Sequence, residues 1–517
     1  MKKYLVGVDL GTNGLKVALF DLEGNVQAET YLEMSIQYPG PGLMEQDPDE
    51  FYMGTFKSIR AVLDSSDIDP GSVLAVGFDG QMGGVIGIDE SFDPVTHYDI
   101  VLDTRCQKYN RWIKENYEDI LFERSSGTWS HAAKILWWKN ERRDAYKKIK
   151  KFVLLAGYVG GKMAGLNSAG AYVDYTSLFC SGLHETVALT WSDEICGLLG
   201  IDDVKLPAVV KPWDIIGKVD SVNAKYSGLL EGTPIVAGAG DQSAGFLGAG
   251  VIKPGMAIDV AGSTSVFSLC TDEFIPDLEN KQIVYFHSVL PDLYYPLTYI
   301  SGGGICIRWF KENFAHREKQ EAEKEGVDVL AFLDEKCRSI EPGSGELLFM
   351  PHLGGRYCPN EPEVRGAWVG LNWGHTSTHL YRSILESIAY DYSGTLTIFK
   401  QLFPNVAIDS IRVTGGGSRS DLWNQIKSDI LNIPYVRLDK NELAVLGSAI
   451  IAGFGAGAYD NLEKSSLSIT SETDRVSPDK KRNAVYKKYI HNYAEMMDCL
   501  QPVFHSLSSE NRPDNDN

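Results

Sequence analysis

The sequence predicts an α/β protein of two similar domains. Three observations carry this expectation. The chain opens with "YLVGVDLGTNGLKVALFD", two apolar runs around a short polar insert, which reads as strand, turn, strand. Past Pro234 the texture changes to a Gly- and Ala-rich stretch, and a second pair of runs, Ala257–Val260 and Ser265–Leu269, brackets "AGST". The C-terminal third then reads "SIRVTGGGSRSDLWNQIKSDIL", a strand, a glycine turn and a helix. A length of 517 residues accommodates two or three domains.

In chain order, Tyr4–Asp9, Leu15–Phe20 and Val26–Tyr31 are expected as three hairpin-linked strands, with Asn13-Gly14 and Leu22–Asn25 as turns. Val73–Phe78 and Val85–Ile88 follow as further strands, giving a mixed sheet. "SHAAKILWWKNERRDAYKKIK" reads as a helix with Ser130 as N-cap and basic residues towards its end. Asp9…Gly11-Thr12 and Asp259…Gly262-Ser263-Thr264 look like two copies of one device, one per domain. Phe314–Arg338 is polar and is expected as a helical surface excursion, and "SSENRPDNDN" as a disordered tail. Leu422, Ile426 and Ile430 share one helical face. The domains are drawn at 1–247 and 248–465, with 466–517 as a helical extension and tail.

A formal net charge of −20 argues against a nucleic-acid or anionic-membrane surface, since both need clustered Lys and Arg. It leaves room for a phosphate held by backbone N–H groups and a metal ion. The eight cysteines form no CxxC pair, so free thiols in a reducing compartment are expected, and nothing pairs His131 or His352 at metal-ligand spacing. The N-terminal apolar run is short and broken by Asp9, unlike a signal peptide, and no run approaches the ~18 residues of a membrane span. A soluble cytoplasmic protein is the expectation.

Two readings of the opening hairpin stand side by side. It is a plain edge hairpin with a solvated Asp9, or Gly11 and Gly14 let the backbone form an anion nest to which Thr12 adds a hydroxyl. In the second reading Asp9 needs a divalent cation between itself and a phosphate. "GAGDQSAG" sets Asp241 among small residues, either as an exposed turn or as an acceptor for the proton of an attacking hydroxyl, with Gln242 beside it. Gly161-Lys162 fails the P-loop pattern, so ATP, if bound, is bound through the hairpins. "VTGGGSRSD" and "SGGGICIRWF" are glycine turns that carry little alone.

Together these residues resemble the FGGY carbohydrate kinases from Tyr4 to about Tyr459. "GAWVGLNWGHTSTHLYRSILE" matches that family's C-terminal signature throughout, whereas "SHAAKILWWKNE" meets the other signature except at His131. The resemblance implies a sugar kinase–chaperone–actin fold, ribonuclease H-like, with duplicated domains and an interdomain cleft. It implies ATP and Mg²⁺, with Asp9 and Asp241 at the metal and Asp241 as catalytic base. Gly11, Thr12, Asn13, Gly14 and Lys16 are implied at the phosphates, Gly262, Ser263 and Thr264 in a second phosphate loop, and Gly304, Gly416, Gly417 and Ser420 on the adenosine side. Lys16 is equally readable as a solvated strand lysine. "GLMEQDPDE", "GQM" and "GAGD" look closest to the xylulokinase branch, which implies D-xylulose or a related ketose against Gln81, Met82, Gly83, Asp103, Trp129 and Gln242. Gly83 and Gln242 depart from that branch, where His and Asn are usual, so another polyol or sugar acid is the alternative. The implied partners are a small sugar and ATP, with a homodimer allowed. A nucleotide-switched chaperone-like ATPase is the alternative of another class; Asp241 and the full C-terminal signature argue against it.

Overall fold

The computed structural model describes residues 2–509; most of the expected disordered tail lies outside them. The N-terminal domain is built on β1 (Tyr4–Leu10), β2 (Gly14–Asp21), β3 (Val26–Glu33), α1 (Pro48–Ser66), β4 (Val73–Gly80), α2 (Ser130–Glu141), β5 (Ile215–Lys218), β6 (Pro234–Val236) and α3 (Asp241–Gly248). Its sheet runs β5-β6-β4-β1-β2-β3. The C-terminal domain contributes β7 (Ala257–Ala261), β8 (Ser265–Leu269), β9 (Val284–His287), β10 (Tyr294–Ile300), α4 (Gly303–Asn313), α5 (His316–Glu325), α6 (Val329–Cys337), α7 (Ser377–Leu402), β11 (Ile411–Thr414), α8 (Asp421–Leu431), β12 (Tyr435–Leu438), α9 (Leu443–Gly455), β13 (Glu472–Val476) and α10 (Lys480–Ser509). Its sheet runs β9-β10-β8-β7-β11-β12-β13.

The two sheets repeat one plan. Each has an antiparallel meander, β1-β2-β3 or β7-β8-β10, whose first strand pairs in parallel with a later one, β4 or β11. Each continues through one more parallel strand to an antiparallel edge strand. The expected mixed sheet and duplication are therefore present. The sheet takes in β13, so it extends beyond residue 465.

The apolar runs become strands because the central ones are covered on both faces: every residue of β1 from Leu5 to Val8 is buried. The edge strand β3 is mostly exposed and carries Glu29 and Glu33, charges that discourage pairing with another chain. Helix α1 starts where Asp47 accepts the Asp49 N–H and Pro48 occupies the first turn.

Three expectations differ in detail. Val85–Ile88 yields a short strand, Ile86–Ile88, that pairs with Lys151–Val153 outside the main sheet. The helix over residues 130–150 breaks at Arg142, and Ser130 does not cap it: its hydroxyl donates to the Gly83 carbonyl at 2.9 Å. The polar segment 314–338 forms α5 and α6 but is docked, with Leu333 and Cys337 buried and Asp334 accepting from Tyr381 on α7 at 2.9 Å.

The domains meet through α3 and α9. Helix α9 lies across β1 and β4 so closely that a Cβ at Gly7 or Gly77 would fall 2.2 Å from the Val445 or Ser448 carbonyl oxygen. Gly447 meets Ala244 of α3 in the same way, so the absence of side chains lets backbones touch at the crossing.

Candidate active site

Three carboxylates stand at the same ends of three adjacent parallel strands. Asp9 lies near the end of β1, in register with Asp79 near the end of β4. Asp79-Gly80 in turn pairs with Ala239-Gly240, which runs directly into Asp241 at the first turn of α3. The ends of parallel strands are where open α/β sheets bind ligands. Burial drives all three upward; the Asp9 charge adds to the rise of Asp79 and Asp241, while a hydrogen bond from Asp79 holds Asp9 partly back. Asp9 is pushed up to about 6 and Asp241 to about 7, and Asp79 lies well above the carboxylate range.

Sequence reading singled out Asp9 and Asp241 and missed Asp79. Its signal was present: "VGFDG" ends β4 much as "VGVDLG" ends β1. The counterpart Asp259 behaves differently. It is fully buried, and its oxygens take the Lys427 ammonium at 2.5 Å and the Tyr392 hydroxyl at 2.8 Å. Two residues separate Asp259 from Gly262, but only one separates Asp9 from Gly11. One step along a strand reverses the face, so Val260, not Asp259, matches Asp9. The second copy of the device therefore has its acid in the core.

The opening hairpin closes through the Gly11 N–H on the Gly14 carbonyl at 3.0 Å. Neither Asn13 nor Gly14 has positive φ, so this is not the two-residue turn that Asn-Gly suggests. Gly14 is small because the Tyr31 ring crosses it: a Cβ there would sit 2.3 Å from Tyr31 Cζ. Thr12 donates to Gln81 at 3.1 Å, Gln81 to Gln46 at 2.8 Å, and Gln46 back to the Thr12 carbonyl at 2.8 Å. This ring ties the hairpin to the expected sugar wall. Lys16 is not free at the hairpin tip: its ammonium lies 2.7 Å from Glu442 and 3.6 Å from Glu29.

The second hairpin loop, Gly262–Thr264, is held by the start of α4. Gly304 and Ile305 donate their N–H groups to the Gly262 and Ser263 carbonyls at 2.9 and 2.8 Å. Arg308, one turn on, reaches the Ser263 hydroxyl at 3.3 Å. Tyr299 on β10 makes a side-chain hydrogen bond with Thr264, and burial pushes its hydroxyl upward. The Gly415–Gly417 turn packs against Ala261, and a Cβ at Gly416 would meet open space. Ser420 caps α8 through the Trp423 N–H at 3.0 Å and donates to Asp334 at 2.6 Å.

On the sugar side, Met82 is buried beneath Gly240, the residue before Asp241. A Cβ at Gly83 would lie 2.6 Å from Val101 Cβ, so Val101 fills the space a larger residue would need. His131 supports this turn from below, its Nε2 2.5 Å from the Met82 carbonyl, and burial pushes it down to about 4, which keeps it neutral. Trp129 is buried against Gly182. The Gln242 N–H donates to Asp241 at 2.6 Å. Asp103 is engaged elsewhere: its oxygens take Arg105 at 2.7 and 2.8 Å and the Met44 N–H at 2.7 Å. Its job here is to hold Arg105 over Trp137.

The segment that matched the C-terminal signature is structural. Glu386 gathers Gly343 N–H, the Ser344 hydroxyl, Arg382 and Tyr486, and Trp368 donates to Ser383. Tyr486 brings α10 onto the domain.

Two duplicated domains, each with a hairpin loop at the ends of its parallel strands, place the chain on the actin-like fold. The chain belongs to the FGGY family of carbohydrate kinases: the N-terminal domain model of that family matches residues 4–248 and the C-terminal one residues 260–456. It is a kinase with an alcohol group as acceptor, and its family uses ATP. Xylulose kinase from Bacillus subtilis (strain 168) is 26% identical over 511 residues, 98% of this chain and 99% of that protein. Gluconokinase from Bacillus licheniformis is 27% identical over 518 residues, 99% of each. The crystal structure of ligand-bound xylulose kinase from Lactobacillus acidophilus superposes with a TM-score of 0.88 at 21% identity, over 98% of this chain and all of that one.

Proposed function

We propose that this carbohydrate kinase moves the γ-phosphate of ATP to a terminal hydroxyl of an uncharged ketose of the xylulose kind. The observation that carries the reading is Asp241: a partly buried carboxyl at about 7, close enough to Asp9 to feel its charge and directly after Gly240, which covers Met82. A base poised near neutrality is suited to take a hydroxyl proton. As the sugar oxygen bonds to the γ-phosphorus, the bridging P–O bond to ADP breaks and Asp241 receives the proton.

Asp9 and the Gly11–Gly14 hairpin face one side of the phosphates, the Gly262–Thr264 loop with Arg308 the other, and the Gly416-Gly417 turn the adenosine. Asp9 and Asp79, carboxyls in hydrogen-bond contact at the strand ends, fit a divalent cation such as Mg²⁺, which would neutralise phosphate oxygens when bound. Closure over α3 and α9 would exclude water from the transfer.

The two buried cations beside this wall are already engaged by the protein, which favours an uncharged sugar over a sugar acid that would need one of them. Lys134 donates to the Asp99 and Ile100 carbonyls at 2.6 and 2.7 Å, and Arg105 holds Asp103 and Glu45. The cysteines are all free thiols, which fits work in the reducing cytoplasm. A coupled ADP-release screen over ketoses, polyols and sugar acids tests the reading. A ketose should give the highest kcat/KM; turnover of gluconate ahead of every ketose would refute it.

A further inference from the structure

Two carboxyls meet inside the protein, and one oxygen of Asp79 receives no hydrogen bond from any N–H or hydroxyl. Asp79 is fully buried. One of its oxygens, Oδ2, takes the Ser448 hydroxyl at 2.6 Å. The other, Oδ1, finds no donor, and the Asp79 carboxyl lies at hydrogen-bond range from that of Asp9. Lys16, whose charge acts on Asp9, is occupied by Glu442. Carboxyl oxygens in such contact need a shared proton or a positive charge between them, and a cation that displaces the proton gains both charges. No three acidic, histidine or cysteine side chains among the described residues group closely enough to hold an ion by themselves. Contact through the ion's own water molecules is therefore the geometry to expect, and Mg²⁺ keeps several waters.

We propose that Asp79 is a third acidic residue of the divalent-cation site, holding the ion's water shell from the strand between those of Asp9 and Asp241, and that Ser448 orients it. The inference rests on the kinase reading and adds a residue to it. It assigns Ser448 a positioning role from the C-terminal domain: α9 lies so close to β4 at Gly77 that the serine hydroxyl reaches the carboxylate. One carboxylate oxygen is pinned by that hydroxyl, and the free one is left towards Asp9. The cation would then be held from both sides of the domain boundary, and its binding would sense how α9 sits on the sheet.

The test is a Mn²⁺ titration of the full-length protein with ADP present, followed by electron paramagnetic resonance, for wild type, Asp9→Asn, Asp79→Asn and Ser448→Ala. Asp79→Asn keeps the shape and an acceptor for Ser448 but removes the charge. The expected result is a tenfold or greater loss of Mn²⁺ affinity in Asp79→Asn and a two- to fivefold loss in Ser448→Ala. Melting temperature without metal should stay level or rise in Asp79→Asn, because a repelling acid is gone; a purely structural Asp79 would instead lower it. If wild type and Asp9→Asn differ but Asp79→Asn binds Mn²⁺ as wild type does or more tightly, Asp79 is only a protonated partner of Asp9 and the inference falls alone. If wild type itself binds no Mn²⁺ with ADP, the metal-dependent kinase reading falls with it. Should Asp79→Asn fail to fold, Ser448→Ala decides: unchanged affinity overturns the proposal.

Discussion

Replacing Asp241 by Asn should make the protein more stable and nearly inactive at once. The folded Asp241 carboxyl holds its proton up to about 7, whereas the unfolded one releases it near the ordinary 3.8. The folded state thus binds more protons between these values, and the metal-free protein loses stability as pH rises through them. At roughly 1.36 kcal/mol per pH unit the displacement is worth about 4 kcal/mol above pH 7. Its causes are burial first and the Asp9 charge second, and a neutral amide escapes both. If relaxation of the site absorbs half, the gain at pH 8 is about 2 kcal/mol, which raises the melting temperature of so long a chain by roughly 2–4 °C. At pH 4 the difference should vanish. The rate should fall by roughly 10²–10⁴, the usual contribution of a positioned base. The assays are thermal melts from pH 4 to 8 in a chelator and ADP release with the best sugar at pH 8. A variant no more stable than wild type at pH 8 would refute the burial argument. A variant turning over within tenfold of wild type would refute the base assignment.

Gly83→His should clash with Val101 and lower stability by about 1–3 kcal/mol, as overpacking does, and the double variant with Val101→Gly should recover most of the loss in a urea melt. Arg308→Ala removes a cation beside the second loop; loss of a charge-assisted contact worth roughly 1.5–3 kcal/mol should raise the KM for ATP about tenfold or more and leave the sugar KM within about twofold. Lys427→Met leaves Asp259 charged and buried without its partner, a change that costs about 3–5 kcal/mol, so its melting temperature should drop sharply while Asp259→Asn/Lys427→Met recovers much of it.

Much of this protein is legible before it folds, because strand runs and glycine turns are local signals. The three opening strands, the second hairpin, the strand–turn–helix at Ile411 and the duplication could all be drawn from periodicity of two or near four and from turn residues. Asp9 and Asp241 stood out because each interrupts small or apolar neighbours. What periodicity cannot carry is which face a side chain takes and what lies opposite it. Asp259 looked like a copy of Asp9, yet one extra residue before its glycine turned it into the core onto Lys427. Asp103 and Lys16 looked available, and only the packed structure showed Arg105 and Glu442 already holding them. Asp79 went unnoticed because its meaning comes from a parallel register with Asp9 across 70 positions of chain and from a serine on a helix of the other domain. Local sequence determined where the elements and the small-residue turns lie; the sheet register and the α9 contact alone decided which charges share a site, since repulsion and burial act through space and not along the chain.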